Sequence, residues 1–364
     1  MSGTFFATPA IIILAFFAYC IGFFKVDLFG SQARQINTTS VAFDKVWPEV
    51  KSKLCPRMKP NVKYGRQLFL AAQGELGMIP VEDSGELSEL ERFIGIERYW
   101  TFQSGGWLYT PKDGNASTIY MRIFKGGNNQ IMQGFGSLIL SASESEGHYT
   151  VFSNLSDVPR QILNHACIVT VVRDPVERWL SGYNEIEYRA AKVHPRQMNR
   201  NQKSQFHRFR NATEERFEQF VRDFIGGPSR DLQIQYGHIY SMSGIIHHLN
   251  EDVGAQLTSY LPSLADLGHT FPSFLTSTCP NMPKSAHNPM SRHGQHATSD
   301  DPLGSYSAAK QVWKKQGITA RALCAISAMD YACYEKLPIP SLCQEVFADD
   351  SFLRILDKNE DVAD

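Results

Sequence analysis

Hydrophobic and polar residues alternate along the middle of the chain in short blocks that predict strands and helices in turn. Apolar runs rich in β-branched and aromatic residues are typical of strands, and three occur, at 118–124, 149–152 and 166–172. The third run is apolar throughout, which favours a strand buried on both faces. Helical patterns are found at 131–140, 213–224 and 318–335. Strands that alternate with helices in this way indicate an α/β fold.

The segment after the third strand has a well-marked helix start. Asp174 is a suitable N-cap, Pro175 fits the first helical position and Glu177 fits the third. The apolar residues of this helix fall on one side, namely Val176, Trp179, Leu180, Tyr183 and Ile186. Three polar residues lie before the helix or off that side, and packing does not explain them: Arg173, Arg178 and Ser181.

An uncharged apolar stretch from Phe5 to Phe24 lies near the beginning of the chain. About 20 apolar residues suffice for a helix to cross the bilayer core, so the stretch fits a transmembrane signal-anchor. It also fits a signal peptide cleaved after Cys20, because small residues precede that bond. Both alternatives direct the rest of the chain into the secretory pathway.

The patterns divide the chain into four segments. Residues 1–25 would form a short cytoplasmic tail and the anchor, and residues 26–60, with weak periodicity, a stem. Residues 61–345 would form one α/β domain, in which 262–304 are rich in Pro, Ser and His and predict long loops. Residues 346–364 would form an acidic C-terminal tail.

The composition is that of a globular protein, with 364 residues, of which 43% are hydrophobic and 20% charged, and a formal net charge of -1. These values exclude a disordered chain and a nucleic-acid-binding protein that acts through bulk positive charge. The balance conceals a basic stretch, since no acidic residue lies between Glu187 and Glu214 while seven cations do. This stretch is either a solvated loop or a binding surface for an anion.

Cysteines and glycosylation sequons agree with an oxidising compartment. Six cysteines remain when Cys20 is set aside, and an even number permits disulfides without fixing their pairing. The spacing of the last three suggests a C-terminal disulfide among Cys324, Cys333 and Cys343. Cys167 lies inside an apolar run, and we interpret it as a buried thiol. The sequons begin at Asn37, Asn115, Asn154 and Asn211.

A glycine-rich segment follows the first strand and reads Lys125-Gly126-Gly127-Asn128-Asn129. Backbone N–H groups between a strand and a helix start attract phosphate, and Lys125 adds a mobile positive charge. The same residues could also form a simple turn. The chain contains no Gly-Lys-Ser or Gly-Lys-Thr sequence, which argues against a P-loop for nucleoside triphosphates.

The two elements together resemble the sulfotransferase family. Strand–Lys-Gly-Gly–helix is followed about fifty residues later by strand–Arg-Asp-Pro-x-x-Arg-x-x-Ser-x-Tyr–helix. In that family the first element binds the 5′-phosphosulfate of 3′-phosphoadenosine 5′-phosphosulfate (PAPS), and the second binds its 3′-phosphate. The resemblance implies a P-loop-like three-layer fold with a central, mostly parallel sheet flanked by helices. It assigns the 5′ end of PAPS to Lys125, Gly126, Gly127, Asn128 and Asn129, and the 3′-phosphate to Arg173 and Ser181. The family usually has Ser or Thr where this chain has Asn128 and Asn129.

A local resemblance is to the uronyl and heparan 2-O-sulfotransferases of the membrane-bound Golgi carbohydrate branch. It is carried by Gly147-His148-Tyr149-Thr150-Val151-Phe152 and, more loosely, by 231–236 and 329–334. In those enzymes a His acts as general base, so the resemblance implies that His148 accepts the proton of the acceptor hydroxyl, with Glu144 and Glu146 as alternatives. Lys125 would stabilise the leaving phosphate.

These resemblances predict a metal-independent sulfotransferase that moves sulfate from PAPS to a carbohydrate hydroxyl. The enzyme would be a type II Golgi membrane protein with a luminal domain over 61–345, and no nucleic-acid partner is expected. The basic stretch would hold an anionic acceptor through Arg189, Lys192 and Arg196. A tyrosyl or small-molecule acceptor, a non-catalytic glycan-binding ectodomain and a secreted form are the alternatives.

Overall fold

The computed structural model describes residues 41–78, 105–123, 130–189, 213–226, 238–239, 241–290, 301 and 304–358. Five strands lie in these ranges: β1 Gly106–Pro111, β2 Thr118–Met121, β3 Gly147–Phe152, β4 Cys167–Val171 and β5 Ser259–Leu261. The first six helices are α1 over 41–54, α2 Gly65–Glu75, α3 Gly136–Glu146, α4 Arg160–Leu163, α5 Pro175–Asn184 and α6 Glu214–Gly226. The other six are α7 Ser243–His247, α8 Leu267–Thr278, α9 Ser305–Lys314, α10 Ile318–Cys333, α11 Ser341–Phe347 and α12 Asp350–Asp357. Wider helical turns precede α3, at Gln130–Phe135, and follow α5, at Glu185–Arg189.

The five strands form one sheet in the order β3-β1-β2-β4-β5. β4 is parallel to both of its neighbours, and Thr170 lies opposite Met121 of β2 and Tyr260 of β5. β1 is antiparallel to both β2 and β3. Four strands therefore run in one direction and β1 runs against them. We use "carboxyl end" for the end of the sheet at which those four strands finish, and "amino end" for the opposite one.

Helices cover both faces of the sheet. On one face Ile119 and Ile168 lie in the larger core, together with side chains from α2, α5, α6 and α10. On the other face Trp107 and Tyr120 pack against α3 and α8. The ring of Phe271 in α8 meets Tyr120 edge-on, with ring centroids 5.6 Å apart. The sheet thus lies between two helical layers, each buried against an apolar face.

The predicted α/β fold is confirmed, and the mostly parallel sheet is confirmed in part. Two of the strand pairings are parallel and the two made by β1 are antiparallel. β1 was not recognised in the sequence because it begins at Gly106 and ends at Pro111, residues that usually mark turns. Its insertion between β2 and β3 separates β3, which carries His148, from β2 and β4.

The predicted start of α5 is confirmed. Pro175 occupies the first helical position, and Asp174 Oδ1 accepts a hydrogen bond from the Glu177 N–H at 2.8 Å. The predicted apolar side is buried, but so are Arg178, which is 2% exposed, and Ser181, which is 9% exposed. α5 has little solvent-facing surface because it lies between the sheet and three other helices, α9, α10 and α6.

Both ends of the described chain belong to the folded body, in contrast to the predicted stem and tail. α1 lies in the segment predicted as stem, yet it places three side chains in the larger core: Phe43, Val50 and Leu54. Cys55, directly after α1, forms a disulfide with Cys333 of α10. α12 lies in the predicted acidic tail, and its Phe352 and Leu356 are buried. Apolar residues spaced along short amphipathic helices explain the difference.

The cysteine predictions are corrected in one case and confirmed in another. Cys167 is not a free thiol, since it forms a disulfide with Cys279, 112 positions away. The C-terminal disulfide exists and joins Cys324 to Cys343. Cys279 directly follows α8, which lies in the segment predicted as long loops. That prediction failed because Pro272 lies inside α8 and obscures its helical pattern.

Within the described ranges, no helix combines the length and the apolar character that a bilayer crossing requires. The apolar stretch 5–24 lies outside these ranges.

Candidate functional site

The carboxyl ends of β2 and β4 lie side by side. Met121, the last residue of β2, is opposite Thr170, and the Thr170 hydroxyl donates a hydrogen bond to the Met121 carbonyl at 2.7 Å. β2 leads towards the segment 124–129, and β4 leads through Val172 into Arg173. Ligands of open α/β sheets bind outside the carboxyl ends of the strands. The topology therefore starts the two predicted anion-binding segments from neighbouring strands.

Four side chains form a charged cluster at this end, which we name the Glu177 cluster: Arg173, Glu177, Tyr306 and Lys310. Arg173 Nη2 lies 3.2 Å from Glu177 Oε2. The Tyr306 hydroxyl donates to the same oxygen at 2.9 Å, and Lys310 Nζ lies 3.8 Å from Oε1. The Arg173 side chain is 20% exposed and the Lys310 side chain 41% exposed. One carboxylate thus aligns two solvent-accessible cations and a phenol.

The protonation states of the Glu177 cluster favour an anionic ligand. Burial raises the pKa of the Tyr306 phenol, and the negative charge of Glu177 raises it further. The hydrogen bond with Tyr306 and the charge of Glu177 raise the pKa of Lys310. At neutral pH the phenol is therefore a hydrogen-bond donor and Lys310 a cation. Two cations against one carboxylate leave the cluster with a net positive charge.

Asp174 fixes the start of α5 beside this cluster. Its Oδ1 accepts the N–H of Glu177, and its Oδ2 accepts a hydrogen bond from the Tyr331 hydroxyl of α10 at 2.6 Å. Burial raises the pKa of the Asp174 carboxyl, and the hydrogen bond from Tyr331 opposes that rise. The carboxylate therefore connects the position of Arg173 and Glu177 to the larger core through α10.

Ser181 lies one helical turn beyond Glu177 on the same face of α5. The two predicted 3′-phosphate residues, Arg173 and Ser181, are thus aligned along one line of the helix with Glu177 between them. Arg178 lies on a different face and is fully buried. Burial lowers the pKa of its guanidinium to about 10, although Asp330 and Tyr334 oppose the shift. Its surroundings indicate a role in the core rather than in ligand binding.

His148 lies at the other end of the sheet. It is opposite Thr110 of β1, whereas Phe152, the last residue of β3, is opposite Gly106. Four strand residues, or about 13 Å, separate His148 from the carboxyl end, and β1 and β2 lie between β3 and β4. The helical segment 130–146 explains this position, because it carries the chain back to the amino end before β3 begins. This position argues against a general-base role for His148, which stays a prediction.

Of the two alternative bases, Glu146 lies at the same amino end, and the side chain of Glu144 is outside the described part of the structure. Glu146 ends α3 directly before β3, and its Oε2 accepts a hydrogen bond from the Lys284 N–H at 3.1 Å. Its carbonyl accepts the Tyr109 hydroxyl at 3.2 Å. Glu144 belongs to α3, but its side chain is not among those described. Glu146 thus forms hydrogen bonds that link β1, α3 and the segment at Lys284 at the amino end of the sheet.

Several predicted site residues lie outside the described ranges. They comprise the 5′-phosphosulfate residues Lys125, Gly126, Gly127, Asn128 and Asn129, and the acceptor residues Lys192 and Arg196. Arg189 is placed by its backbone, in the helical turn that extends α5. That turn lies at the far end of α5 from Arg173, about 20 Å away at 1.5 Å per helical residue. Among the described residues, no group of three or more His, Cys, Asp or Glu side chains could hold a metal ion.

Three residues of this region were not identified from the sequence: Tyr306, Lys310 and Tyr331. Tyr306 lies 129 positions from Glu177, and Tyr331 lies 157 positions from Asp174. No local pattern reports contacts over such distances. The similarity of 329–334 to later segments of the related enzymes was a usable signal for Tyr331, although it named no partner.

A family model described as "Sulfotransferase family" matches residues 108–294, slightly more than half of the 364 residues. The matched residues run from β1 past α8, and they include Arg173, Glu177 and Ser181. α9 and α10 lie beyond them. No curated protein and no solved structure matches the chain.

Proposed function

The chain belongs to the sulfotransferase family, and from that premise we propose that it transfers the sulfuryl group of PAPS to a hydroxyl group of a carbohydrate. The observation that carries the proposal is the parallel pairing of β2 with β4. Parallel neighbours end at the same place, so Arg173 and the segment 124–129 both follow strands at the carboxyl end. Phosphate-bearing ligands bind at this end in α/β folds.

In this proposal the 3′-phosphate of the donor contacts Arg173 and Ser181. A guanidinium can donate two parallel hydrogen bonds to a phosphate, and a hydroxyl can donate one more. The partial exposure of Arg173 and the net positive charge of the Glu177 cluster support the assignment. Because Asp174 and Tyr331 fix the start of α5, Arg173 would meet the phosphate with little rearrangement of the backbone.

The 5′-phosphosulfate would be bound by Lys125 and by the N–H groups of Gly126, Gly127, Asn128 and Asn129. This segment stands between β2 and the helical turn Gln130–Phe135. A strand-to-helix connection is a context in which successive N–H groups can converge on one phosphate. The side-chain amides of the two Asn residues could donate where the family usually has hydroxyl groups.

The transfer forms a bond from the acceptor oxygen to sulfur and breaks the bond from sulfur to the 5′-phosphate oxygen, which keeps the electron pair. Lys125 would stabilise the negative charge that develops on that phosphate. In this proposal the base that receives the acceptor proton lies near the same carboxyl end and is a residue other than His148.

We propose that the acceptor is a polymeric, anionic carbohydrate. The basic stretch that contains Arg189, Lys192 and Arg196 begins at the far end of α5, about 20 Å from Arg173. The stretch is thus apart from the residues assigned to the 3′-phosphate, and its seven cations suit several anionic groups of one polysaccharide better than a small uncharged acceptor. Uronate or sulfate groups would be attracted by the positive charge of the stretch.

The compartment is also part of the proposal. Three disulfides, Cys55–Cys333, Cys167–Cys279 and Cys324–Cys343, agree with an oxidising lumen. The apolar stretch 5–24 would then serve as a signal-anchor, with the catalytic domain in the Golgi lumen.

Sulfate transfer tests the proposal directly. The purified full-length chain is incubated with sulfur-labelled PAPS and with uronate-bearing polysaccharides, sulfated polysaccharides, a tyrosyl peptide and a small phenol. We expect label in a polysaccharide, and Lys125→Ala should lower kcat about 100- to 1000-fold. Lys112→Ala, at the amino end, is the matched control and should transfer at the wild-type rate. Label in the peptide or the phenol alone would contradict the acceptor, and absence of transfer to every acceptor would contradict the function.

A further inference from the structure

Two members of the Glu177 cluster, Tyr306 and Lys310, belong to a helix that the family match does not include. α9 begins at Ser305, beyond the matched residues 108–294. It lies antiparallel to α5, because Ser305 contacts Asn184 near the end of α5 while Lys310 contacts Glu177 near its start. The helix thereby brings a cation and a phenol to the carboxyl end of the sheet.

Neither core packing nor a contribution to folding stability explains why a lysine occupies position 310. The side chains that α9 buries include Tyr306, Ala309 and Val312, whereas the Lys310 side chain is 41% exposed. An ion pair of 3.8 Å at such exposure contributes little to folding. Lys310 also lies over the ring of Tyr306, with Nζ 5.2 Å from the ring centroid. Glu177 and Tyr306 thus hold the ammonium group of Lys310 in one orientation. Such an arrangement is expected of a preorganised binding group.

The position of Glu177 indicates which ligand the two cations would share. Each oxygen of its carboxylate contacts one cation: Arg173 lies at Oε2 and Lys310 at Oε1. Both cations therefore border one small area of surface. Glu177 neutralises one of the two positive charges, and the Asp174 carboxyl also interacts with the charge of Arg173. Lys310 is the more exposed of the two cations and is therefore the more accessible to an incoming anion. A phosphate monoester carries up to two negative charges and several acceptor oxygens, so it can contact both cations at once.

We propose that Lys310 completes the binding site for the donor's 3′-phosphate, with Glu177 and Tyr306 keeping Arg173 and Lys310 in position. This inference rests on the proposed function, since it assumes the 3′-phosphate contact of Arg173. Lys310 contributes charge, Tyr306 holds the Glu177 carboxylate through its hydroxyl, and Ser181 lies one turn beyond Glu177 along α5. Recognition of the 3′-phosphate would then combine α5, from the matched part of the chain, with α9, from outside it.

Paired titrations with 3′-phosphoadenosine 5′-phosphate (PAP) and 5′-AMP separate this inference from the proposed function. The two nucleotides differ in the 3′-phosphate alone, so any group that contacts this phosphate should affect PAP and not AMP. In calorimetry with the full-length chain, Lys310→Ala should weaken PAP binding about tenfold and leave AMP binding unchanged. Tyr306→Phe, which keeps the ring and its packing, should weaken PAP binding about threefold.

The matched control is Lys314→Ala, an exposed lysine one turn further along α9, and it should bind PAP as the wild type does. If Lys310→Ala binds PAP like the wild type, or loses PAP and AMP to the same extent, the inference is wrong although the proposed function stands. If the wild-type chain does not prefer PAP over AMP, the proposed function itself fails and the inference fails with it.

Discussion

The two ends of the sheet differ in how their polar groups are used. At the amino end they bond to neighbouring backbone or to each other: Glu146 accepts from Lys284 and Tyr109, and Ser117 donates to Thr110. A disulfide between Cys167 and Cys279 joins β4 to the end of α8 at the same place. At the carboxyl end, Arg173 and Lys310 share one carboxylate and remain open to solvent.

This contrast separates residues that hold the fold from residues that can bind a ligand. A group whose hydrogen bonds and covalent links are made within the protein contributes to stability. A cation that shares a single carboxylate with another cation keeps capacity for an external anion. We therefore expect changes to the internally bonded groups of the amino end to lower stability and leave donor binding intact, and changes to the exposed cations of the carboxyl end to do the reverse.

The largest effect is expected from the disulfide at the amino end. Replacing Cys167 and Cys279 together with Ser should lower the free energy of unfolding by about 2–5 kcal/mol, because the bond closes a long loop in the unfolded chain. The folded variant should bind PAP as the wild type does. Denaturant titration and calorimetry measure the two quantities. Replacing Cys324 and Cys343 together, which close a loop of 19 positions, should cost less stability. A variant with unchanged stability and weakened PAP binding would contradict the division between the ends.

Removing the Arg173 side chain should have the next largest effect, this time on binding. Arg173→Ala should weaken PAP binding about 10- to 100-fold, since charge-assisted hydrogen bonds to phosphate contribute about 1.5–3 kcal/mol. Arg160→Ala is the matched control, because Arg160 is exposed on α4, before β4 begins at the amino end. Equal PAP affinities for the two variants would show that the carboxyl end does not bind the donor.

Tyr331→Phe tests the connection between the carboxyl end and the larger core. The buried Asp174 carboxylate would lose the 2.6 Å hydrogen bond, and unfolding should become easier by about 1–2 kcal/mol at neutral pH. Burial already raises the pKa of Asp174 in the folded state, and the hydroxyl of Tyr331 opposes this rise. In the variant the pKa lies still further above its unfolded value. Stability linked to a raised pKa is present at low pH and lost as the pH rises through the folded pKa.

The loss of unfolding free energy in Tyr331→Phe should therefore be small in acid and reach its full size at neutral pH. Thermal unfolding at several pH values measures it. Tyr334→Phe provides the comparison, because the Tyr334 hydroxyl donates to the Met242 carbonyl at 2.7 Å, a group that does not titrate. Its deficit should be nearly independent of pH over the same range. The same pH dependence in both variants would rule out the assigned role of Asp174.

His148→Ala should have the smallest effect. The side chain is exposed at the amino end, so stability should change by no more than about 0.5 kcal/mol and sulfate transfer by no more than about twofold. A loss of kcat of about 100-fold or more, the size expected for a general base, would return His148 to the catalytic machinery and contradict the assignment of the two ends.

Local sequence patterns predicted the parts of the site that depend on neighbouring residues. Asp174, Pro175 and Glu177 form the predicted helix start because capping involves groups at most three positions apart. The position of His148 could not be predicted in this way. Its strand was recognised, but the end of the sheet to which it belongs depends on the direction of helix 130–146 and on the insertion of β1. These are properties of the topology.

The partners of the site residues were likewise beyond local reasoning. Lys310 and Tyr331 reach α5 through contacts between distant helices, and the Cys167–Cys279 bond joins segments on either side of β5. The apolar run around Cys167 predicted a buried thiol, whereas Cys167 is half-buried and forms a disulfide. A local apolar pattern does not distinguish a free thiol from a disulfide.

Hydrogen–deuterium exchange of the full-length chain, measured with and without PAP, reports where on the sheet the donor binds. If the donor binds at the carboxyl end, PAP slows exchange in peptides that cover 124–129, 173–184 and 305–314 and leaves exchange over 147–152 unchanged. Slower exchange over 147–152 with no change over 173–184 would contradict it.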